Sequence, residues 1–228
     1  MPFSDLADRV AEVTERIEAA RRRGGRQRAV TLIAVTKTHG ADAVDAAWHA
    51  GLHDVGENRV QEAVAKMDTV DVPVRWHLIG HVQRNKVKAV DRFAMVHSMD
   101  SARLADALHE LGMARGRPVE ALLEVNVSGE ASKYGWTPED VRAEAERLIE
   151  RPGVRVRGVM TMAALDADEG QLRATFRGAR AAGDVLRAAG HPAEELSMGM
   201  SNDYEIAVEE GATMVRLGTV LFGARSSL

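Results

Sequence analysis

A lysine closes an apolar run in this chain, Thr31-Leu32-Ile33-Ala34-Val35-Thr36-Lys37, and lysine is otherwise scarce, with five lysines against twenty-five arginines. Arginine keeps its proton in a protein, whereas a partly desolvated lysine loses it, and only the neutral amine attacks a carbonyl carbon. Lys37 is therefore a candidate for Schiff-base chemistry. The structural alternative is a lysine snorkelling from a strand end to water. Two late segments carry complementary chemistry. Ser201, at the end of Ser197-Met198-Gly199-Met200-Ser201, offers a hydroxyl and nearby backbone N–H groups before a helical pattern over 203–210. Gly218 permits close backbone approach to an anion, and Thr219 adds a second hydroxyl. The competing readings are a capping box of Asn202 with Glu205 and a turn glycine before Val220-Leu221-Phe222. Arg216 lies two residues before Gly218, on the same strand face, and once buried it needs an anion or a hydrogen-bond acceptor.

His77 and His81 lie four apart, a spacing that unites two imidazoles only on a helix. Their stretch, Trp76-His77-Leu78-Ile79-Gly80, reads as strand then turn without an acidic companion, so no metal site is expected. Methionines 160, 162, 198 and 200 read as wall and core filler.

The elements that must position these residues alternate. Strand-like runs fall at 30–36, 53–55, 75–79, 94–97, 119–125, 156–160, 195–197 and 213–216. Helical patterns lie near 41–50, 59–69, 84–91, 101–115, 138–150, 169–189 and 203–210. Ser101 and Thr137-Pro138 mark helix starts, while Gly51, Gly112, Gly190 and Gly211 mark stops. Short apolar strands with helical crossovers predict a parallel sheet, and eight of them without a linker predict a (β/α)8 barrel preceded by an extra N-terminal helix. A doubly wound open sheet is the rival. In a barrel the strand ends share one mouth. Here those ends are polar: Lys37-Thr38-His39, Gly56-Glu57-Asn58-Arg59, Gly80-His81, His97-Ser98, Asn126, Ser197–Ser201 and Arg216-Leu217-Gly218-Thr219.

A net charge of −4 gives no global pull toward nucleic acid or an anionic membrane. The absence of cysteine excludes disulfides and thiolate chemistry. No apolar run reaches membrane-spanning length, and no leader is visible at Met1-Pro2-Phe3-Ser4-Asp5, so a cytoplasmic protein is expected. The cluster Arg21-Arg22-Arg23-Gly24-Gly25-Arg26 ends a helix with Leu6, Val10, Val13 and Ile17 on one stripe, and reads as a solvated helix end.

A neutral lysine facing a phosphate cradle suits pyridoxal 5′-phosphate (PLP) or the sugar phosphate of a Schiff-base aldolase. The chain resembles the pyridoxal phosphate homeostasis proteins over most of its length. The matching segments are Ala34-Val35-Thr36-Lys37-Thr38, Gly56-Glu57-Asn58-Arg59, His77-Leu78-Ile79-Gly80-His81-Val82-Gln83-Arg84-Asn85-Lys86, Val125-Asn126-Val127, Lys133-Tyr134-Gly135, Gly158-Val159-Met160-Thr161-Met162, Leu196–Ser201 and Arg216-Leu217-Gly218-Thr219. The resemblance implies a fold-type III barrel like the N-terminal domain of alanine racemase, spanning 1–228 as one domain with 1–28 packed on it. It implies PLP as cofactor, joined as a Schiff base to Lys37. Ser201, Gly218 and Thr219 would hold the phosphate, Arg216 would face the pyridine nitrogen, and Asn58 would lie near the ring. Val82 and Arg59 stand where many relatives carry leucine and tyrosine, and Lys86 resembles a family lysine near the mouth.

The resemblance further implies a non-catalytic carrier in PLP homeostasis, with PLP-dependent apo-enzymes as partners; a monomer is expected. An amino-acid racemase is the alternative. It needs an acid/base on each ring face, and neither Tyr134 nor Tyr204 has an evident claim on the ring. Arg216 against the ring nitrogen would also keep that nitrogen unprotonated and weaken the electron sink. Desolvation with Arg216 nearby is expected to lower the Lys37 pKa toward neutrality.

Overall fold

Eight parallel strands follow one another in space as in sequence: β1 (Thr31–Val35), β2 (Asp54–Glu57), β3 (Arg75–Leu78), β4 (Met95–Met99), β5 (Val119–Glu124), β6 (Val154–Met160), β7 (Glu195–Ser197) and β8 (Met214–Leu217). β8 pairs back onto β1, with Thr31 opposite Met214 and Ile33 opposite Arg216, which closes the barrel. The computed structural model describes residues 3–130 and 134–223. Lys133 of the matching segments therefore lies outside the described residues.

The helices are α1 (Leu6–Arg23), α2 (Ala41–His49), α3 (Val60–Met67), α4 (Ala102–Ala114), α5 (Val141–Ile149), α6 (Glu169–Ala188), α7 (Tyr204–Glu209) and α8 (Thr219–Phe222). This is the (β/α)8 architecture with an additional N-terminal helix. Their apolar faces and the outward faces of the strands form the main core, which includes Leu78, Val96, Leu123 and Phe176. No helix among the described residues is long and apolar enough to cross a membrane.

Four local expectations are corrected. The β3-to-β4 crossover over Arg84–Arg92 is a 3-10 helix rather than an α-helix. Val87 and Val90 within it and Phe93 at its C-cap are buried and recur every third position, the period that stacks side chains along a three-residue turn. The helix expected from Pro138 begins at Val141, because Thr137 and Asp140 first close a turn through Thr137 Oγ1 and the Asp140 carboxylate at 2.7 Å. Helix α8 follows Gly218 directly, where only an apolar segment was read. Gly112 does not end α4, which continues to Ala114. A Cβ at Gly112 would sit 1.9 Å from the Gly153 carbonyl oxygen, so the glycine permits close helix–loop approach.

Helix α1 packs on α7 and α8. Leu6, Val13 and Ile17 are buried and Val10 is partly so, as the stripe predicted. The basic cluster is solvated at Arg22 and Arg23, as expected, and together with Arg16 its arginines also form an ion-paired seam with α7. Arg16 reaches Glu205 at 2.5 Å, Arg23 reaches Glu209 at 2.6 Å and Glu205 at 3.1 Å, and Arg26 Nε donates to the Glu209 carbonyl at 2.8 Å.

In an ordinary helix interior, replacing glycine by alanine stabilises by about 1 kcal/mol. Gly112→Ala should do the reverse. A urea denaturation midpoint below wild type is the expected result, and a midpoint at or above it would show that the Gly153 loop yields.

Candidate functional site

The C-terminal strand ends enclose a cavity of about 740 Å³. Lys37, Asn58, Ser201, Arg216, Gly218 and Thr219 all line it, although the sequence scatters them over more than 180 positions. A neighbouring cavity of about 550 Å³ shares Asn58, Gly80 and His81 with it and holds Arg59 and Lys86.

Lys37 is half-buried just past β1, and the residues on either side of it are clamped. Thr36 donates its hydroxyl to Glu57 Oε1 at 2.6 Å, and its carbonyl accepts from Lys66 Nζ at 2.8 Å. Lys66 in turn pairs with Glu57 Oε1 at 2.6 Å inside the protein. Thr38 adopts φ of 70°, an uncommon conformation for a β-branched residue, and its N–H donates to Glu62 at 2.7 Å. Burial pushes the Glu57 carboxyl up, against the opposing hydrogen bonds from Lys66 and Thr36. The strand end is thus held by two helix α3 side chains, so the backbone carrying Lys37 cannot swing.

Arg216 points into the barrel and is only 4% exposed. One terminal nitrogen donates to both the carbonyl and the hydroxyl oxygen of Ser197, each at 2.7 Å, and the other donates to the Thr161 carbonyl at 3.1 Å. Burial pushes its pKa down to about 10, countered by the charges of Glu124 and Asp203, so it remains a cation at neutral pH. A carboxylate only accepts, and with one hydrogen on each imidazole the Asp54 carboxylate sets the direction of the row behind Arg216. The Ser197 hydroxyl, already accepting, donates to His97 Nδ1 at 2.8 Å. His97 Nε2 then donates to His77 Nδ1 at 2.9 Å, and His77 Nε2 donates to Asp54 at 2.8 Å. Burial, helped by the charge of Arg216, holds His97 well below the ordinary imidazole range, so it stays neutral. Burial disfavours the Asp54 carboxylate, but hydrogen bonds from His77 and Arg75 outweigh it and hold the pKa low.

The two late loops meet through Ser201, whose hydroxyl accepts from the Val220 N–H at 3.3 Å. The capping box expected of Asn202 and Glu205 does not form. Asp203 is the α7 N-cap and accepts from Met200 N–H at 2.6 Å, while Glu205 turns outward to Arg16 and Arg23.

The opposite wall is acidic. His81 Nδ1 bonds the buried Asp100 carboxylate at 2.6 Å, and its ring stacks on Tyr134 at 4.7 Å between centroids. Both His81 and Tyr134 line the cavity, a placement of Tyr134 that the sequence did not show. Tyr204 is buried away from it against Arg16. Glu124, at the end of β5, also lines the cavity and is 6% exposed. Its carboxylate makes no hydrogen bond or ion pair among the described residues. Burial, joined by the charge of Asp100, pushes it up to about 7, against the pull of Arg216 and His81.

Several expected mouth residues face elsewhere: Glu57 is paired with Lys66 and His39 packs against Phe222. His97 belongs to the barrel interior, Ser98 donates to the Gly80 carbonyl at 2.6 Å, and Asn126 organises the turn at Gly129 and Glu130. His77 and His81 diverge, one toward Asp54 and the other toward Asp100. Among the described residues no group of three potential ligands converges on a metal position.

Because the folded Glu124 binds its proton more tightly than the unfolded chain, its ionisation destabilises the fold as pH rises through roughly 4.5 toward 7. Glu124→Gln should therefore be more stable than wild type at pH 8, by on the order of 2 kcal/mol, and nearly equal to it at pH 4. Thermal melts at the two pH values test this; equal gains at both would mean the carboxylate is not strained by burial.

The model of the family "Alanine racemase, N-terminal domain" matches residues 9–226. The pyridoxal phosphate homeostasis protein of Pseudomonas aeruginosa is 44% identical over 226 residues, covering 98% of this chain and 97% of that one. The protein of the same name from Aquifex aeolicus is 39% identical, covering 97% of this chain and 99% of that one. Among solved structures, PipY of Synechococcus elongatus with PLP bound is 38% identical with a TM-score of 0.84, covering 96% of this chain and all of that one. Alanine racemase from Corynebacterium glutamicum, at 17% identity and a TM-score of 0.73 over 94% of this chain and 61% of its own, shares the fold. The chain belongs to the pyridoxal phosphate homeostasis protein family, built on the barrel of the alanine racemase N-terminal domain.

Proposed function

We propose that the chain, acting as one domain, binds PLP in the 740 Å³ cavity through a Schiff base to Lys37 and serves as a non-catalytic carrier in PLP homeostasis. The observation that carries this reading is the meeting of an amine, a buried guanidinium and two hydroxyl-bearing loops around one cavity. That donor set fits the cofactor: an amine for its aldehyde, N–H and O–H donors for its phosphate dianion, and an obligate donor for its ring nitrogen. When bound, PLP supplies a carbonyl carbon for exchange among amines.

In this reading Ser201, Gly218 and Thr219 hold the phosphate and supply affinity without promoting chemistry. Asn58 lies beside the ring. Arg216 presents a permanent positive charge and only donors, so a ring nitrogen against it accepts a hydrogen bond and stays unprotonated. That favours holding the cofactor over stabilising carbanions, which is why a carrier is preferred to a racemase. The clamp on Thr36 and Thr38 keeps the Lys37 amine aimed into the cavity. We read the carrier as a cytoplasmic monomer whose recipients are PLP-dependent apo-enzymes.

Borohydride reduction of the PLP-treated protein, followed by peptide mass mapping and turnover assays with an amino-acid panel, tests the proposal. A pyridoxyl group on Lys37 without turnover is expected. Lys37→Ala should lose the imine absorbance while keeping weaker, phosphate-anchored binding. Full imine absorbance in that variant would overturn the assignment of Lys37, and racemisation by the wild type would overturn the carrier reading.

A further inference from the structure

Glu124 is an expensive residue to keep. A carboxylate that is 94% buried and makes no hydrogen bond or ion pair among the described residues works against the fold at neutral pH. A neutral glutamine of the same shape would fit the same space. The carboxylate also faces the cavity rather than the core, and Lys37 lines the same cavity. Asp100, 8% exposed, stands behind it and orients His81, whose Nε2 has no hydrogen-bond partner among the described residues. The cavity shared with the proposed imine thus carries two buried carboxylates on one wall, and the principal acid makes no hydrogen bond or ion pair among the described residues.

We propose that Glu124, backed by Asp100 and His81, forms a binding subsite for the ammonium group of an incoming primary amine, of the kind carried by a lysine side chain. This rests on the reading that Lys37 anchors the cofactor, because any acceptor of PLP must bring an amine to the same carbon. A protonated amine brings the missing positive charge, and burial strengthens that pairing relative to water. The charged groups that face Glu124 are Asp100, Arg216 and His81. Arg216 is bonded to Ser197 and Thr161 and, in the proposed function, faces the ring nitrogen, while the charge of His81 is offset by Asp100 at 2.6 Å, so no unmatched cation among these groups meets an α-carboxylate. The acids repel one. The subsite therefore favours an alkylamine without a carboxylate over a free amino acid.

Calorimetric titration of the cofactor-free protein and of the borohydride-reduced, PLP-loaded protein with two probes tests this. The probes are Nα-acetyl-lysine methylamide and L-alanine. Saturable binding of the lysine derivative, tighter at pH 8 than at pH 5.5 and tighter than that of alanine, is expected. Glu124→Gln should weaken it by roughly thirtyfold or more, the loss typical of removing one member of a desolvated charge pair. That substitution relieves a buried charge, and a wild-type-like circular dichroism spectrum and melting transition verify that the variant is folded before it is titrated. Stronger binding of alanine would assign the subsite to free amino acids and overturn the lysine preference. Equal binding by wild type and Glu124→Gln, or no binding by either, would overturn the subsite, and a changed absorbance of the loaded variant with unchanged amine binding would reassign Glu124 to the cofactor ring. Absence of a pyridoxyl adduct on wild-type Lys37 would instead mark failure of the carrier reading, independently of these titrations.

Discussion

A permanent cation buried inside a closed barrel organises the rest of this molecule. Arg216 cannot shed its proton or reach water, so the interior must surround it with acceptors and offsetting charge. The carbonyls of Ser197 and Thr161 supply the acceptors, and Glu124 and Asp203 supply the charge. These come from strands or loops of β5, β6 and β7, with Arg216 on β8, so satisfying one side chain ties half of the barrel wall together. The usual barrel interior is layered with branched apolar side chains. Here Ile33, Leu122, Met160 and Met214 share the enclosed volume with His77, His97 and Arg216.

The second organising contact lies across the barrel at Lys66. A lysine on a helix and a glutamate on a strand are both withdrawn from water, and their pairing is aimed at the carbonyl and hydroxyl of Thr36. Such pairs contribute little net stability compared with apolar packing of the same volume. What this one contributes is geometry. It fixes the last residue before Lys37, while Glu62 fixes the first residue after it. Side chains from a single turn of α3 therefore hold the backbone on either side of Lys37, just past β1.

Much of this was legible in the sequence. The scarcity of lysine singled out Lys37, and alternation of strands and helices gave the barrel. The rule that strand ends share a mouth then gathered Ser201, Arg216, Gly218 and Thr219 around one cavity. What escaped reading depended on which face of a short strand turns inward. His77, His97 and Asp54 are ordinary polar residues in three separate runs, and nothing local announces that they touch. A strict period-two count from Arg216 and Ser197 was the one available signal. Glu124 was hidden in the same way, as the last residue of an apolar strand that seemed complete without it. The crossover at 84–91 was legible as helical but not as 3-10, because Val87, Val90 and Phe93 also satisfy half of a helical stripe. Gly112 misled because its small size serves a neighbour's backbone rather than its own turn.

The row from Arg216 to Asp54 has one further consequence. Each link between Ser197, His97, His77 and Asp54 contains a single hydrogen, and all of them point the same way. Proton hopping along such a row leaves every group reversed, and the next passage requires the row to turn back. Reversed, the Ser197 hydroxyl would accept from both Arg216 and His97 and leave its own hydrogen without a place in the row. The row therefore favours one proton arrangement over its reverse. It carries polarisation from one rim of the barrel to the other more readily than it carries protons, so the carboxylate of Asp54 at one rim reaches Arg216 at the cavity through charge displacement.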